Sequence, residues 1–196
     1  VKSYTTNCVN NSIRIEENKY LVLPKLKRIK LKYHREIPKD YKIKSVTLTN
    51  SNGNYYVSIL TEFEKEIQKV PSNDKVIGLD FSMSELFVSS ENQRADYPRY
   101  FRMLEKKLKE LQKSLSRKVK FSKNWYKQKV KISKLHEYIK NCRRDFLHKL
   151  SKKLSETYNA VVVEDLNMKG MSQALNFGKS VGDNGWGMFL RMLEYK

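Results

Sequence analysis

The amino-acid sequence predicts an α/β protein, α+β overall, in which a small strand-rich part precedes a mixed sheet that carries a long helical hairpin. Three patterns lead to this fold class. Polar and apolar residues alternate across residues 12–63, as in half-buried strands. Apolar residues recur every three or four positions across residues 99–155, as in amphipathic helices. Two β-rich apolar runs, ending at Asp80 and Glu164, lie on either side of that helical segment.

The first part of the chain is expected to form a small antiparallel sheet or barrel. Its strands are predicted in the runs SIRI, KYLVL, RIKLKYH, KIKSVTLT and NYYVSILTEF. Asn52 and Gly53 join the last two runs and predict a two-residue hairpin, because both residues tolerate positive φ. Apolar residues in RIKLKYH alternate with Arg and Lys, so one face of that strand would be basic. This basic row fits nucleic-acid contact and edge-strand protection by Lys equally well.

The mixed sheet is expected to begin after a linker. Residues 76–90 predict two strands around a turn at Ser82 to Ser84. The run AVVV that precedes Glu164 predicts a third strand, buried because it is continuously apolar and β-branched. A final helix is predicted in WGMFLRMLEYK, with Trp186 in the core.

Residues 99–155 are predicted to form two long helices that fold back on each other. Leu104, Leu108 and Leu111 follow helical spacing, and the apolar stripe continues beyond the break KFSKN, where Ser122 is a candidate N-cap. This segment carries 20 basic and 4 acidic side chains, which is most of the formal charge of +19 on the 196-residue chain. The expected result is a basic antiparallel hairpin whose apolar stripes face each other.

This charge predicts DNA or RNA as the partner, because Lys and Arg displace counterions from phosphates. A solvated, Lys-rich helical surface is the alternative. The longest purely apolar stretch has four residues, so no membrane span is expected. The two cysteines lie 134 positions apart and fit neither a disulfide framework nor a zinc spacing, and no secretory signal is visible. We therefore expect a cytoplasmic protein without a membrane partner.

Asp80 and Glu164 are the residues whose pattern points to catalysis. Each is an acid at the carboxyl end of an apolar strand, where α/β sheets usually place their ligand sites. Adjacent strands would bring the two carboxylates together, and a hard ion such as Mg²⁺ or Mn²⁺ would relieve their repulsion. Such ions support phosphodiester cleavage. The alternative is that each acid merely caps a helix or turn, as Asp165 beside Asn167 could do.

Other chemistries have little support in the sequence. His34, His136 and His148 share no helical face and have no cysteine cluster beside them, so zinc or Cys/His catalysis is not expected from them. The patterns GxxxxGK[ST] and GxGxxG do not occur, which argues against P-loop nucleotide hydrolysis and dinucleotide redox chemistry. No small-molecule substrate is therefore expected.

The segment NCRRDFLHKLSKKLSETYNAVVVEDLNMKGM, followed by WGMFLRMLEYK, closely resembles the TnpB (OrfB) proteins of bacterial insertion sequences, which are related to type V CRISPR nucleases. The resemblance covers essentially the whole chain. It implies a β-barrel wedge-like domain over residues 1–70 and a RuvC-like nuclease domain of RNase H fold over residues 75–196, with the hairpin 99–155 inserted. It also implies RNA-guided, metal-dependent DNA cleavage in transposition, with Asp80 in GLDFS and Glu164 in EDLN as the catalytic, metal-binding acids.

The sequence departs from the TnpB pattern at several points. Ser82 stands where the family usually has glycine. By the resemblance, a last strand, a third catalytic Asp and zinc-ribbon cysteines would follow the LEYK segment, and a recognition portion would precede the first strands. We therefore expect a fragment that is weak or inactive by itself, with structural zinc only in the part that is missing. Asp165 and Asp183 are the nearest other acids, and neither matches the family position.

Three hypotheses follow, and they assign different roles to the hairpin. In the first, the chain is part of a transposon-encoded RNA-guided DNA endonuclease that uses Mg²⁺ or Mn²⁺. In the second, it is a non-catalytic, basic nucleic-acid-binding module. In the third, the apolar stripe from Leu104 to Val119 makes a scaffold dimerise. In the first hypothesis, ten basic residues of the hairpin would hold guide RNA or DNA, and the second hypothesis uses the same basic surface. These residues are Arg102, Lys106, Lys109, Arg117, Lys118, Lys120, Lys127, Lys131, Arg143 and Arg144.

Overall fold

The computed structural model describes most of the chain, namely residues 3–64, 66, 75–174 and 183–196. Its contacts divide the chain into two units, Val1–Gln68 and Lys69–Lys196, and each unit has a hydrophobic core of its own. No helix within the described ranges is long and apolar enough to cross a membrane.

The described part of the first unit contains six strands in two antiparallel sheets. They are β1 (Ser3–Asn7), β2 (Arg14–Glu16), β3 (Tyr20–Leu23), β4 (Lys27–Lys30), β5 (Lys42–Ser51) and β6 (Asn54–Glu62). One sheet has the order β1-β5-β6 and the other the order β2-β3-β4. The predicted hairpin between β5 and β6 is confirmed, because Asn52 and Gly53 have φ angles of 50° and 84°.

The expectation of a barrel in the first unit is wrong. The described residues form two separate three-stranded sheets that pack Leu21, Leu23 and Val46 into one core, without closing. The strand predicted in RIKLKYH also ends early, at Lys30. In the segment that follows, the Tyr33 hydroxyl accepts a hydrogen bond from the backbone N–H of Ile37 at 2.7 Å, which is a local contact rather than a strand pairing.

The second unit contains a three-stranded mixed sheet and helices. The strands are β7 (Val76–Phe81), β8 (Phe87–Ser89) and β9 (Ala160–Val163), in the order β8-β7-β9. Strand β8 runs antiparallel to β7, and β9 runs parallel to it. The helices are α1 (Tyr100–Ser116), α2 (Lys123–Thr157), α3 (Met168–Ala174) and α4 (Trp186–Glu194). The helical hairpin therefore connects β8 to β9, which lie on opposite sides of β7. The mixed α/β class is confirmed.

The core of the second unit lies on one face of this sheet. Ile77 and Leu79 of β7 are buried there against Leu147 of α2 and against Trp186 and Phe189 of α4. Trp186 is 1% exposed, which confirms the prediction that it belongs to the core. Its ring lies 5.7 Å from that of Phe189 and 5.6 Å from that of Phe81.

The two long helices pack as predicted. The apolar stripe of α1, with Leu104, Leu108 and Leu111, contacts Leu135 and Ile139 of α2. This part of the stripe is covered within the chain, whereas Val119, the last residue of the stripe in the third hypothesis, is 79% exposed. The Ser122 side chain accepts the backbone N–H of Trp125 at 3.1 Å, so the predicted N-cap of α2 is confirmed.

Strand β9 is more exposed than its sequence predicts. Val162 is 60% exposed and Val163 is 37% exposed, although a continuously apolar run was expected to be buried on both faces. The reason is its position, because β9 is an edge strand of the described sheet and has a neighbour on one side only.

Candidate active site

The two predicted acids directly follow the last paired residues of two parallel strands. Leu79 of β7 pairs with Val163 of β9, the end of the paired register, and a continuation of that register by one residue would place Asp80 beside Glu164. Paired residues of neighbouring strands direct their side chains to the same face of a sheet, and such strands lie about 4.8 Å apart. The strand ends that precede the two acids are therefore neighbours in the fold, although 84 positions separate Asp80 from Glu164 in the sequence.

The two acids share the solvent-exposed face of the sheet. Ile77 and Leu79 direct their side chains into the core, and alternation directs Gly78 and Asp80 the opposite way. Both Asp80 and Glu164 are exposed. Within the described part of the chain, neither carboxylate has a hydrogen-bond or ion-pair partner, so both have free oxygens.

This donor set fits a divalent ion. Two adjacent, unpartnered carboxylates repel each other, and Mg²⁺ typically binds through one or two carboxylates, with water and substrate phosphate completing its coordination. No group of three or more Asp, Glu, His or Cys side chains within metal-binding reach occurs among the described residues. Asp80 and Glu164 are the two candidate ligands for such an ion in this part of the chain.

The turn that follows Asp80 is fixed from outside the sheet. The Asn184 amide Nδ2 donates to the backbone oxygen of Ser82 at 2.9 Å and to that of Glu85 at 2.7 Å. Arg99 donates from Nη2 to the backbone oxygen of Ser84 at 2.7 Å. Asn184 is buried. We call these two side chains the turn clamp, because together they bind four carbonyl groups of the turn, the fourth being that of Met83 at 3.5 Å from Arg99 Nη2.

Sequence reasoning missed the turn clamp, because it is formed by side chains far from Asp80 in the chain. The resemblance to TnpB gives a glycine where this chain has Ser82. Ser82 does not have a positive φ, and its hydroxyl accepts the backbone N–H of Glu85 at 3.3 Å. A serine therefore suits this turn, and the departure from the TnpB pattern has a local explanation.

The two other acids considered are placed differently. Asp183 is buried, and its Oδ1 accepts Nη2 of Arg143 at 3.0 Å and the backbone N–H of Phe101 at 3.3 Å. One oxygen of this carboxylate is engaged by a cation, and the other, Oδ2, is buried without a hydrogen-bond partner among the described residues. Asp165 is exposed, and the capping role beside it belongs to Asn167, whose Oδ1 accepts the backbone N–H of Gly170 at 2.9 Å.

The predicted nucleic-acid-binding residues lie mainly on the solvent side of the hairpin. Arg143 is different: Nε donates to the Tyr97 hydroxyl at 3.0 Å, and the guanidinium pairs with Asp183, so it supports the fold. The remaining nine form the basic face of the hairpin, with Lys118 half-buried and the others exposed: Arg102, Lys106, Lys109, Arg117, Lys118, Lys120, Lys127, Lys131 and Arg144.

Comparison with known proteins gives three findings. The sequence pattern of the OrfB_IS605 family, described as "Probable transposase", matches residues 58–175. The chain is 36% identical to the Escherichia coli (strain K12) protein named "Putative RNA-guided DNA endonuclease InsQ", over 92% of this chain and 48% of that protein. It is 30% identical to a Streptomyces pristinaespiralis protein named "Putative RNA-guided DNA endonuclease", over 85% of this chain and 41% of that protein. The chain thus spans about half the length of the curated relatives it matches.

Proposed function

The chain belongs to the OrfB_IS605 transposase family, and on that premise we propose that it forms part of an RNA-guided, divalent-metal-dependent DNA endonuclease acting in transposition. The observation that supports the proposal is the parallel pairing of β7 with β9, whose register ends at Leu79 and Val163, the residues directly before Asp80 and Glu164. The names of the two relatives support RNA and DNA as partners. The RuvC-like reaction itself belongs to the proposal.

Asp80 and Glu164 would hold the metal at the exposed edge of the sheet. A divalent ion at this position supplies activation of water and stabilisation of the leaving oxygen in phosphodiester hydrolysis. The two carboxylates bind it and fix its place relative to the sheet. Asn184 and Arg99 position Asp80 indirectly, because they hold the turn that begins two residues after it.

The basic face of the hairpin would hold the nucleic acid. Its side chains are long and cationic and, apart from the half-buried Lys118, exposed, and the segment 99–155 carries 20 basic against 4 acidic residues. Phosphate contacts of this kind fix a strand without reading its sequence. Specificity would then come from the guide RNA by base pairing.

A titration with Mn²⁺ tests the metal site in the chain as it exists. We expect saturable binding that is lost in Asp80→Asn and in Glu164→Gln, because each change removes one anionic ligand. Asp165→Asn is the matched control, since Asp165 is an exposed acid directly after Glu164. Equal Mn²⁺ affinity in all four proteins would overturn the assignment of the site.

The second candidate is a non-catalytic nucleic-acid-binding module. It is favoured by the finding that the described residues offer two carboxylates and no third metal ligand. On this alternative the chain binds nucleic acid with an affinity that falls steeply with salt, yet gives no Mn²⁺ signal dependent on Asp80 and Glu164. The same titration, repeated beside a salt series with labelled DNA, separates the two candidates.

A further inference from the structure

The turn between α1 and α2 carries an exposed aromatic cluster. We define the hairpin tip as residues 117–129. Within it, Phe121 is 64% exposed and Tyr126 is 51% exposed. Their ring centroids lie 5.6 Å and 5.1 Å from that of Trp125, and the two rings are inclined to the Trp125 ring by 58° and 85°. The three rings form an aromatic surface that is partly open to solvent.

Cations surround this aromatic surface. Between Leu111 and His136 the chain carries nine Lys and Arg and no acid. Two of them lie against the rings: Lys120 Nζ is 5.1 Å from the centre of the Phe121 ring, and Lys129 Nζ is 5.0 Å from that of Trp125. A surface of this composition repels cations and attracts polyanions.

The backbone at Phe121 is strained. Its φ is 66°, in the left-handed region that bulky residues rarely adopt. Glycine or asparagine would fit this turn without the same penalty. The strain is not compensated by burial, because Phe121 remains mostly exposed. Uncompensated strain at an exposed aromatic residue points to a use for that ring.

We propose that the hairpin tip binds single-stranded DNA by stacking unpaired bases on Phe121 and its neighbouring rings. Aromatic rings beside Lys and Arg are the usual means of holding single strands, because every base has a face that stacks and every nucleotide a phosphate. An unpaired strand is required, since bases in a duplex stack on each other. The inference rests on the proposed function, in which DNA is the strand that is cut.

The test compares a 20-nucleotide oligo-dT with an abasic strand of the same length and charge, in EDTA so that the metal site plays no part. We expect the wild-type chain to bind oligo-dT about tenfold more tightly. Phe121→Ala should abolish most of this preference without changing the slope of affinity against salt. Lys123→Ala should do the reverse, reducing the salt slope by about one and keeping the preference.

Phe121→Gly separates stacking from folding. Glycine accepts the left-handed backbone, so we expect a thermal midpoint equal to or above that of the wild type together with loss of the base preference. If the wild type binds oligo-dT and the abasic strand equally, the rings do not stack on bases and the proposal is overturned. The exposed rings of the tip would then fit a protein partner instead. Tighter binding of oligo-U than of oligo-dT would overturn the choice of DNA. None of these outcomes depends on the Mn²⁺ titration, so the two proposals fail separately.

Discussion

Among the ion pairs of the described residues, Arg143 and Asp183 form the least exposed one. Asp183 joins three elements, because it accepts from the first turn of α1 and from α2 and lies just before α4. Its neighbour Asn184 holds the turn after Asp80. The side chains of Asp183 and Asn184 are therefore held by several hydrogen bonds, whereas the carboxylates of Asp80 and Glu164 are held by none among the described residues.

Asp183→Asn should lower the free energy of unfolding by about 3 kcal/mol, because the mostly buried guanidinium of Arg143 loses its anionic partner and keeps only the Tyr97 hydroxyl. The asparagine keeps an oxygen for the Phe101 N–H, so the loss reports the ion pair. Asp145→Asn is the control, since it breaks an exposed pair with Lys149 of 2.7 Å and should change stability very little. Urea unfolding of both variants measures the difference, and equal losses would contradict the prediction.

Tyr97 should make stability depend on alkaline pH. Burial raises the pKa of its hydroxyl from 10.0 to about 12, although the hydrogen bond and charge of Arg143 act in the opposite direction. Because the folded-state pKa is the higher one, this stabilisation is complete below pH 10 and is lost as the pH rises towards 12.

Tyr97→Phe should remove that part of the pH dependence. Urea midpoints measured at about pH 9 and about pH 11 should fall less steeply in the variant than in the wild type. Tyr55→Phe controls for the loss of one exposed hydroxyl. If wild type and Tyr97→Phe lose stability in parallel, the buried hydroxyl is not the cause.

The residues of the site differ in how far sequence predicts them. Asp80 and Glu164 follow from the pattern of an acid at the end of an apolar strand, which is local in the sequence. Asn184 and Arg99 follow from no such pattern, because their role is defined by backbone carbonyls that only the tertiary fold brings near. Arg143 looked like its basic neighbours and differs from them only through burial against Tyr97.

Elements show the same division between local and tertiary causes. The helices of the hairpin are predictable because an amphipathic stripe continues for many turns. Strand β1, SYTTN, lacks a clear apolar alternation and is defined by its pairing with β5, so its sequence did not reveal it. The exposure of β9 is likewise a property of its place at the sheet edge.

At this scale, the N-cap of α2 can be tested directly. Ser122→Ala should lower the free energy of unfolding by about 1 kcal/mol, because the Trp125 N–H then loses its acceptor. Ser155→Ala is the matched control within the same helix. The Ser155 hydroxyl donates to the oxygen of Lys152 in its own helix, and alanine is the better helix former there, so stability should be unchanged or slightly higher. A loss in both variants would show that removing a serine, rather than a cap, is responsible.

Each of the two units has a hydrophobic core, and the charge is distributed unevenly between the units. The core around Leu21 and Val46 belongs to the first unit, and the core around Ile77 and Leu147 belongs to the second. The basic hairpin is part of the second unit only. Because like charges destabilise a folded unit that no polyanion covers, salt should act on the two units differently.

We expect two unfolding transitions in calorimetry, of which only one rises in temperature when salt is added from a low-salt buffer. Leu21→Ala and Leu147→Ala identify them, since each replaces a fully buried leucine and should cost about 3 kcal/mol in its own unit. The transition lowered by Leu147→Ala should be the salt-sensitive one, because screening weakens repulsion within the hairpin of the same unit. The same transition should respond to oligo-dT, which neutralises the hairpin by binding. If both substitutions lower a single transition equally, the two units unfold together. If salt raises two transitions equally, the hairpin charge does not govern the stability of its unit.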